Sequence, residues 1–368
     1  MTDHRLIGLL SVTALLLSAC FSPAVIFFST ADPAHNTTAP TGDLADSGWQ
    51  YEGLWRNFLG TPIAPQYFIT ASHIGGAVGD QFIFRGTAYT TTAFSDDLAS
   101  DLRIWRVCGS FPDFAPLYTQ PNERNKPVVV FGRGTRRGAP VEVAGLLGAS
   151  LKGWKWGAPD GAPRWGQNVV ADVTNGDGIG PLSGNASVGE LLKMTFDGAG
   201  GETEEAHLSG GDSGGGLFIK DGEVWKLAGI NYAVDGPYNT ASDGTGFEAV
   251  IFDEGGLYRQ EAGQWVLTPD LPVPQPGAFY ATRVSANLAW INGVLSAPSP
   301  ADAAPVLQSA PQPTGPFTDE GTAVVDSNAR IVTVARPAQT QFYRVRSCGP
   351  VKILSVRVEG GNLVLPYE

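Results

Sequence analysis

The sequence predicts an all-β fold, and three observations lead to that prediction. The chain of 368 residues contains 47 glycines and 27 prolines, which favour tight turns over long helices. Short apolar runs broken by Gly, Asp-Gly or Pro recur between residues 49 and 295. Strand-like and helix-like segments do not alternate as they would in a parallel α/β sheet. The content of apolar residues, 43%, indicates a globular protein, and the net charge of −12 argues against non-specific nucleic-acid binding.

The N-terminal residues 1–29 predict an export signal. Arg5 precedes the apolar run LIGLLSVTALLL, and the segment Leu17–Cys20, LSAC, follows it. Three forms of export remain open. The signal is cleaved during secretion; or LSAC, which resembles the lipobox of bacterial lipoproteins, leaves Cys20 as a lipidated N-terminus; or the apolar run, extended by FSPAVIFF, stays as an anchor. Each form places the protein in the periplasm, the cell envelope or the extracellular space.

Residues 30–48 are polar and rich in Pro, Thr and Ala, which predicts a tether. From residue 49 onwards the apolar runs predict strands, among them QYFITA, DQFIFRG, LRIWRV, PVVVFG, GGGLFI, VWKLAGINYAV and FEAVIF. Asp221 and Gly222 lie between two of them and predict a two-residue hairpin turn. Near residue 295, Val284, Leu288 and Ile291 recur at helical spacing and predict one amphipathic helix.

The remaining residues predict a linker and a second, smaller unit. Residues 296–316 are rich in Pro and Ala and predict an unfolded linker. Residues 317–368 contain four strand-like runs, with a hairpin turn at EGGN, and predict a small β module. If Cys20 belongs to the signal or carries a lipid, Cys108 and Cys348 remain. They either pair with each other or lie buried as small apolar side chains. No Cys/His spacing predicts a zinc site, and no cofactor is expected.

Ser213, in the glycine-rich stretch LSGGDSGGGLFI, is the candidate nucleophile, and a nucleophilic serine needs a basic partner. Of the four histidines, His4 lies in the signal, His35 in the tether and His207 only six residues from Ser213, which leaves His73. The GxSxG pattern also suits the nucleophile elbow of α/β-hydrolases. In that fold the histidine follows the serine in the chain, and no histidine follows Ser213.

Three segments in the order His, Asp, Ser resemble the trypsin-like serine proteases. FITASHIGG resembles the histidine segment of that family, SDLRIWRV its aspartate segment and GDSGGGLF its serine segment. A fourth segment, FYATRVSANLAWI, resembles the C-terminal helix of the family and the strand that enters it. The resemblance covers residues 49–295. It implies a double six-stranded antiparallel β-barrel with a C-terminal helix, of the kind that bacteria secrete.

The resemblance also implies roles for individual residues. Ser213 would be the nucleophile, His73 the general base and acid, and Asp101 the residue that orients His73. Asp96 and Asp97 compete with Asp101, which is preferred because it directly precedes the strand LRIWRV. The backbone N–H groups of Gly211 and Ser213 would form the oxyanion hole.

Asp212, directly before the nucleophile, pairs in animal members of the family with an N-terminus freed by zymogen cleavage. Nothing in this sequence resembles the usual Ile-Val-Gly-Gly start. Asp212 is therefore expected to form local hydrogen bonds.

The resemblance places the substrate pocket near His207, Tyr232 and Val234. His207 occupies the position at the floor of the family's primary pocket, where it would favour an acidic substrate side chain, or else has a structural or solvent-exposed role. Val234 stands where the family often has glycine and would narrow the pocket. The Trp-rich stretch GWKWGAPDGAPRWG, residues 153–166, is interpreted as packing rather than as a binding surface.

The sequence therefore predicts an exported, monomeric serine endopeptidase that hydrolyses proteins or peptides through an acyl-enzyme. Nucleic acid is not an expected partner, and a membrane is one only through the N-terminal lipid or anchor. The alternative from another class is a catalytically silent binding or adhesion protein on the same fold. A further possibility is that the C-terminal module does the main work in adhesion or sorting.

Overall fold

The computed structural model describes residues 25–145, 148–181, 187–297, 305–348 and 351–368. Cys20 and most of the predicted export signal therefore lie outside the described residues. Within the described part of the chain, no helix is long and apolar enough to cross a membrane.

The N-terminal segment, residues 25–48, is packed against the second barrel rather than extended as a tether. Its strand β1 (Ile26–Phe27) pairs antiparallel with residues 206 and 207. Val25, Ile26 and Phe27 are at most 4% exposed. Farther along, the carbonyl of Thr38 accepts a hydrogen bond from Nε1 of Trp165 (2.9 Å). Residues 30–48 are polar, but they do not form a free tether. Strand β1 before them and Thr38 within them contact the second barrel.

The first barrel is a closed sheet of six antiparallel strands in the order β2-β3-β4-β7-β6-β5. Its core is aromatic, because Trp55, Phe68, Phe82 and Trp105 are fully buried and pack on one another. The strands are β2 (Gly53–Trp55), β3 (Phe58–Ala64), β4 (Tyr67–Ala71), β5 (Gln81–Phe84), β6 (Thr87–Asp96) and β7 (Leu102–Val107).

The described residues between 127 and 283 form thirteen strands. They are β8 (Pro127–Gly132), β9 (Thr135–Gly145), β10 (Gly148–Pro159), β11 (Arg164–Asn175), β12 (Glu190–Thr195), β13 (Ala206–His207), β14 (Gly216–Asp221), β15 (Val224–Val234), β16 (Tyr238–Asn239), β17 (Ala249–Ile251), β18 (Tyr258–Glu261), β19 (Gln264–Leu267) and β20 (Ala278–Arg283). Six of them form the second closed barrel, in the order β11-β12-β20-β15-β14-β8. The predicted hairpin at Asp221 and Gly222 joins β14 to β15.

Two three-stranded sheets lie outside the second barrel. One has the order β17-β10-β9 and the other β16-β18-β19. We call them the accessory sheets. Trp154, on β10, is buried in a cluster with Phe28, Phe196 and Phe252, and Trp165 is buried in the main core. Trp154 therefore packs the β17-β10-β9 accessory sheet against its neighbours, and Trp165 packs in the core. Both side chains have the packing role that was predicted for the Trp-rich stretch.

After the second barrel the chain forms the helix α1 (Leu288–Ser296). This helix buries Ile291 in the largest cluster of buried apolar residues among the described ones, the cluster that also contains Trp55 and Trp105. Val284, which was predicted on the same face, lies in the short connection after β20 and is also fully buried. Short 3₁₀ turns occur at Gly42–Leu44, Trp49–Tyr51, Ser72–Ile74, Gly198–Gly200 and Ser285–Asn287. The predicted double six-stranded barrel of trypsin-like type, with its C-terminal helix, is confirmed.

The C-terminal module consists of two small antiparallel sheets, in the orders β22-β21-β25 and β23-β24-β27-β26. Its first strand begins at Val306, so the module starts within the predicted linker. A disulfide joins its Cys348 to Cys108 at the end of the first barrel. The strands are β21 (Val306–Ala310), β22 (Thr318–Asp319), β23 (Val324–Asp326), β24 (Ile331–Ala335), β25 (Phe342–Arg346), β26 (Arg357–Glu359) and β27 (Asn362–Pro366).

Candidate active site

The three residues of the predicted triad come from three separate connections. His73 lies in the 3₁₀ turn that follows β4, and Asp101 lies immediately before β7. These two strands are paired in the first barrel, which brings the two connections together. Ser213 lies in the glycine-rich loop before β14 of the second barrel. The site therefore lies between the two barrels, and both have to fold before it exists.

The side chains of the three residues form a continuous line of contacts. Asp101 Oδ2 lies 2.6 Å from His73 Nδ1, and His73 Nε2 lies 2.9 Å from Ser213 Oγ. The backbone N–H of His73 donates to the second carboxylate oxygen of Asp101 (2.9 Å). Asp101 is completely buried, whereas the side chain of His73 keeps 16% of its surface exposed. The carboxylate thus fixes the imidazole, and the serine end of the line faces the cleft.

The two competing aspartates have other partners. Asp96 forms an ion pair with the guanidinium of Arg103 (2.7 Å). The carboxylate of Asp97 accepts a hydrogen bond from the hydroxyl of Ser100 (2.7 Å). The structure thus brings only Asp101 of the three to His73.

Glycine is required on both sides of the candidate nucleophile. Gly211 has a φ of 101°, and a Cβ at that position would lie 3.0 Å from the Cα of Gly134. Gly214 has a φ of 82°, and its Cβ would lie 2.3 Å from Thr70 Oγ1. Gly214 thus disfavours other residues by both backbone strain and collision, and Gly211 chiefly by backbone strain. Among the described residues, the N–H groups of Gly211 and Ser213 have no backbone acceptor, so both are available to a ligand oxygen.

Asp212 is fully buried beneath this loop and stabilises it through hydrogen bonds to backbone N–H groups. Its carboxylate accepts hydrogen bonds from the N–H of Gly134 (2.6 Å) and the N–H of Ser209 (2.7 Å). It also accepts one from the N–H of Val25 in the N-terminal segment (3.2 Å). Burial raises the pKa of Asp212 to about 6. The expected local hydrogen bonds are present, and Val25 is an additional partner that sequence reasoning missed.

A cavity of about 340 Å³ opens beside Ser213 and His73. Tyr232 and Val234, two of the three predicted pocket residues, line it, together with neighbouring glycines and apolar side chains. The ring of Tyr232 meets the ring of His73 edge to face, with 5.8 Å between the ring centroids. The cavity is therefore continuous with the candidate triad.

His207, the third predicted pocket residue, does not reach the cavity. Its side chain is 1% exposed and lies between the rings of Phe196 and Phe279, with centroid distances of 5.6 and 5.2 Å. Its Nδ1 contacts the carbonyl of Leu208 (2.7 Å). Burial lowers the pKa of His207 to about 4, so the ring is neutral at pH 7. His207 therefore has a structural role in the barrel interior. It does not contribute a positive charge to the cavity.

Two further residues line the cavity that sequence reasoning did not assign to it. Trp156, on β10, packs against the loop of the candidate nucleophile, because a Cβ at Gly210 would lie 2.8 Å from its ring. Glu248, directly before β17, places its carboxylate at the cavity. Burial raises the pKa of Glu248 above its ordinary value. Trp156 belongs to the Trp-rich stretch that was interpreted as packing, and here it also lines the cavity, whereas no motif in the sequence marks Glu248.

The described residues include no group of three or more His, Cys, Asp or Glu side chains placed to hold a metal ion.

No protein-family model and no curated protein matches the sequence. Solved structures that resemble it include a mutant of human heparin-binding protein, which is 15% identical, with a TM-score of 0.40 and coverage of 69% of this chain and 95% of that one. They also include neuropsin, a serine protease expressed in the limbic system of mouse brain, which is 12% identical, with a TM-score of 0.39 and coverage of 68% and 96%. The fold assignment rests on the two barrels themselves, and neither likeness bears on activity.

Proposed function

We propose that the protein is a serine endopeptidase with Ser213 as its nucleophile. The observation that supports this best is the line of contacts from Asp101 through His73 to Ser213, at 2.6 and 2.9 Å. A nucleophile within hydrogen-bonding distance of a base, which is itself held by a third group, is the arrangement that acyl transfer requires. The open cavity beside it provides a place for a substrate side chain.

In the proposed reaction, Ser213 Oγ attacks the carbonyl carbon of a peptide bond while its proton passes to His73 Nε2. The C–N bond then breaks as His73 returns the proton to the leaving amine, which leaves an acyl-enzyme ester. Water, deprotonated by His73, hydrolyses that ester and restores the serine. Asp101 holds the proton on His73 Nδ1 and stabilises the imidazolium in both halves of the reaction.

The N–H groups of Gly211 and Ser213 would stabilise the negative charge that develops on the carbonyl oxygen. Two donors on one loop, with no competing backbone acceptor among the described residues, are organised before the substrate binds. The positive φ of Gly211 is a backbone conformation that glycine adopts readily.

A fluorophosphonate probe tests the proposal, because it reacts only with an activated serine. The wild-type protein should become labelled, and the Ser213→Ala and His73→Ala variants should not. Ser296→Ala, which removes an exposed hydroxyl at the end of α1, is the matched control and should label normally. A folded wild type that resists the probe would instead support the silent binding protein, and circular dichroism establishes that each variant is folded.

We also propose that the protein is exported, with a protein or peptide as its substrate. Support comes from the apolar N-terminal run and from the disulfide between Cys108 and Cys348, which is typical of oxidising compartments. Metabolic labelling with palmitate distinguishes the forms of export. A label that is lost in Cys20→Ala indicates the lipoprotein, whereas an unlabelled mature protein eliminates it.

A further inference from the structure

A second cavity, of about 350 Å³, is lined by residues of both barrels. Its apolar walls include Trp49, Leu54 and Ile83 on one side and Phe131 and Pro163 of the second barrel region on the other. Among the described residues, none that lines this cavity also lines the cavity beside the candidate nucleophile. A ligand in the second cavity would therefore occupy a site separate from the candidate active site.

Glu52, which ends the 3₁₀ turn at Trp49–Tyr51, brings a carboxyl group to this apolar cavity. Its Oε1 accepts hydrogen bonds from the N–H of Gly216 (3.1 Å) and from the hydroxyl of Thr61 (3.2 Å). Its Oε2 is buried and has no hydrogen-bond partner among the described residues. Burial raises the pKa of Glu52 to about 8, so the group carries a proton at neutral pH.

The hydrogen bonds of Glu52 indicate which of its oxygens carries that proton. Oε1 accepts from two donors and is therefore the carbonyl oxygen of the acid, which places the proton on Oε2. A buried O–H donor that lacks an acceptor is unfavourable. The torsion that turns a carboxyl group is broad, so a small rotation can direct this O–H into the cavity. An oxygen acceptor on a ligand would then pair it.

The charges around the cavity favour a neutral ligand. Arg85 is the other charged side chain that lines it, and its guanidinium donates to the carboxylate of Asp113 (2.9 Å), which neutralises it. A second guanidinium, that of Arg133, donates to the carbonyl of Gly161, which is part of the wall (2.7 Å). With Glu52 protonated, a cation would meet these guanidinium groups and no free negative charge. An anion would meet an Arg85 that is already paired.

We infer that this cavity binds a small neutral molecule whose apolar body packs on Trp49 and Phe131 and whose carbonyl oxygen accepts a hydrogen bond from Glu52. Ketones, esters and amides of a single aromatic ring belong to this class. The volume of the cavity is at the small end of the range for ligand pockets, as such a molecule requires. The inference does not depend on the proposed endopeptidase function.

The test compares acetophenone with isopropylbenzene, which has nearly the same shape and no oxygen, in binding titrations followed by NMR of the protein. Wild type should bind acetophenone about 10-fold more tightly at pH 6, because only acetophenone accepts the hydrogen bond. At pH 9 most of this preference should disappear, since about a tenth of Glu52 remains protonated.

The other titratable groups near the cavity do not change between these pH values. The ion pair of Arg85 with Asp113 and the guanidinium of Arg133 stay charged. Burial raises the pKa of Tyr51, so its hydroxyl stays neutral. A loss of the preference at pH 9 would therefore report on Glu52.

Variants of Glu52 separate the donor from the shape of the cavity. Glu52→Gln keeps a donor at both pH values and should retain the preference for acetophenone at pH 9. Glu52→Met removes the donor and should bind the two ligands alike. Glu223→Gln, where the side chain is 97% exposed, should follow wild type, and Ser213→Ala should also bind acetophenone as wild type does.

Three results would overturn the inference. One is equal or undetectable binding of the two ligands by wild type at pH 6. Another is a preference that stays the same at pH 9 in wild type, which would mean that the proton of Glu52 is not involved. The third is tighter binding of benzylamine than of acetophenone at pH 6, which would show that the cavity accepts a cation.

Discussion

At the scale of single residues, Asp96, Asp97 and Asp101 have the same chemistry and different roles, because different partners surround them. The sequence favours Asp101 through its position directly before an apolar strand. The geometry agrees, since β7 pairs with β4 and carries Asp101 to the turn that contains His73. The sequence could anticipate this contact because strand pairing, which sets the distance between the two residues, is itself well marked by the apolar pattern.

Glu248 and His207 show that local sequence position does not predict which residues line the cavity. His207 was assigned to the pocket by counting six residues back from Ser213, but the chain between them turns His207 into the barrel interior. Glu248 lies thirty-five residues after Ser213, by their numbers in the chain, in a region with no family motif. Which side chains line a cavity is decided by contacts that exist only in the folded molecule.

Glu52 allows a prediction at this scale. Its carboxyl accepts hydrogen bonds from the N–H of Gly216 (3.1 Å) and the hydroxyl of Thr61 (3.2 Å), while its second oxygen is buried without a partner among the described residues. Burial raises its pKa to about 8. The folded protein therefore holds a proton that the unfolded chain releases near pH 4.5, so this group makes stability fall as the pH rises from 4.5 to 8.

We expect Glu52→Gln to remove this dependence. Between pH 6 and pH 8, wild type should lose on the order of 2 kcal/mol of unfolding free energy relative to the variant. Urea unfolding at the two pH values measures the difference. Glu223→Gln, at an exposed position, should follow wild type at both. A Glu52→Gln variant with the same pH dependence as wild type would show that Glu52 is already ionised at pH 6.

At the scale of elements, the sequence predicts which segments form strands better than it predicts which strands pair in one sheet. Runs such as LRIWRV and PVVVFG become β7 and β8 because their alternating or continuous apolar residues have a single way to be buried. The accessory sheets were not predicted as separate sheets. Their strands have the same composition as barrel strands, and which sheet a strand joins depends on contacts far along the chain.

The N-terminal segment gives a prediction at the scale of an element. Phe27, near the end of the predicted export signal, is 4% exposed and packs in the core of the second barrel. Phe27→Ala should therefore lower the free energy of unfolding by about 3 kcal/mol. Val273→Ala, at a position 72% exposed, should change it by less than about 0.5 kcal/mol. Equal stability of the two variants in urea would show that the segment around Phe27 does not stabilise the second barrel.

At the scale of the whole molecule, the double barrel and the line of candidate triad residues could be anticipated, because ordered motifs and repeated strands specify them jointly. The start of the C-terminal module could not be placed, since β21 interrupts the proline-rich stretch that predicts a linker. The sequence also left open whether Cys108 and Cys348 pair. Two cysteines separated by 240 residues meet only if the module returns to the first barrel, and no local pattern encodes that return.

The disulfide makes most of the molecule one covalent ring. Everything between Cys108 and Cys348 lies inside it, including the second barrel, the loop of Ser213 and the stretch before β21. A single cut at a specific protease site introduced among residues 298–304 should therefore leave one band on a gel without reductant and two bands with it. In Cys348→Ser, two bands should appear in both. Two bands from wild type without reductant would mean that the ring is open. A nick between the second barrel and the C-terminal module would in this way leave the two parts of the chain covalently joined.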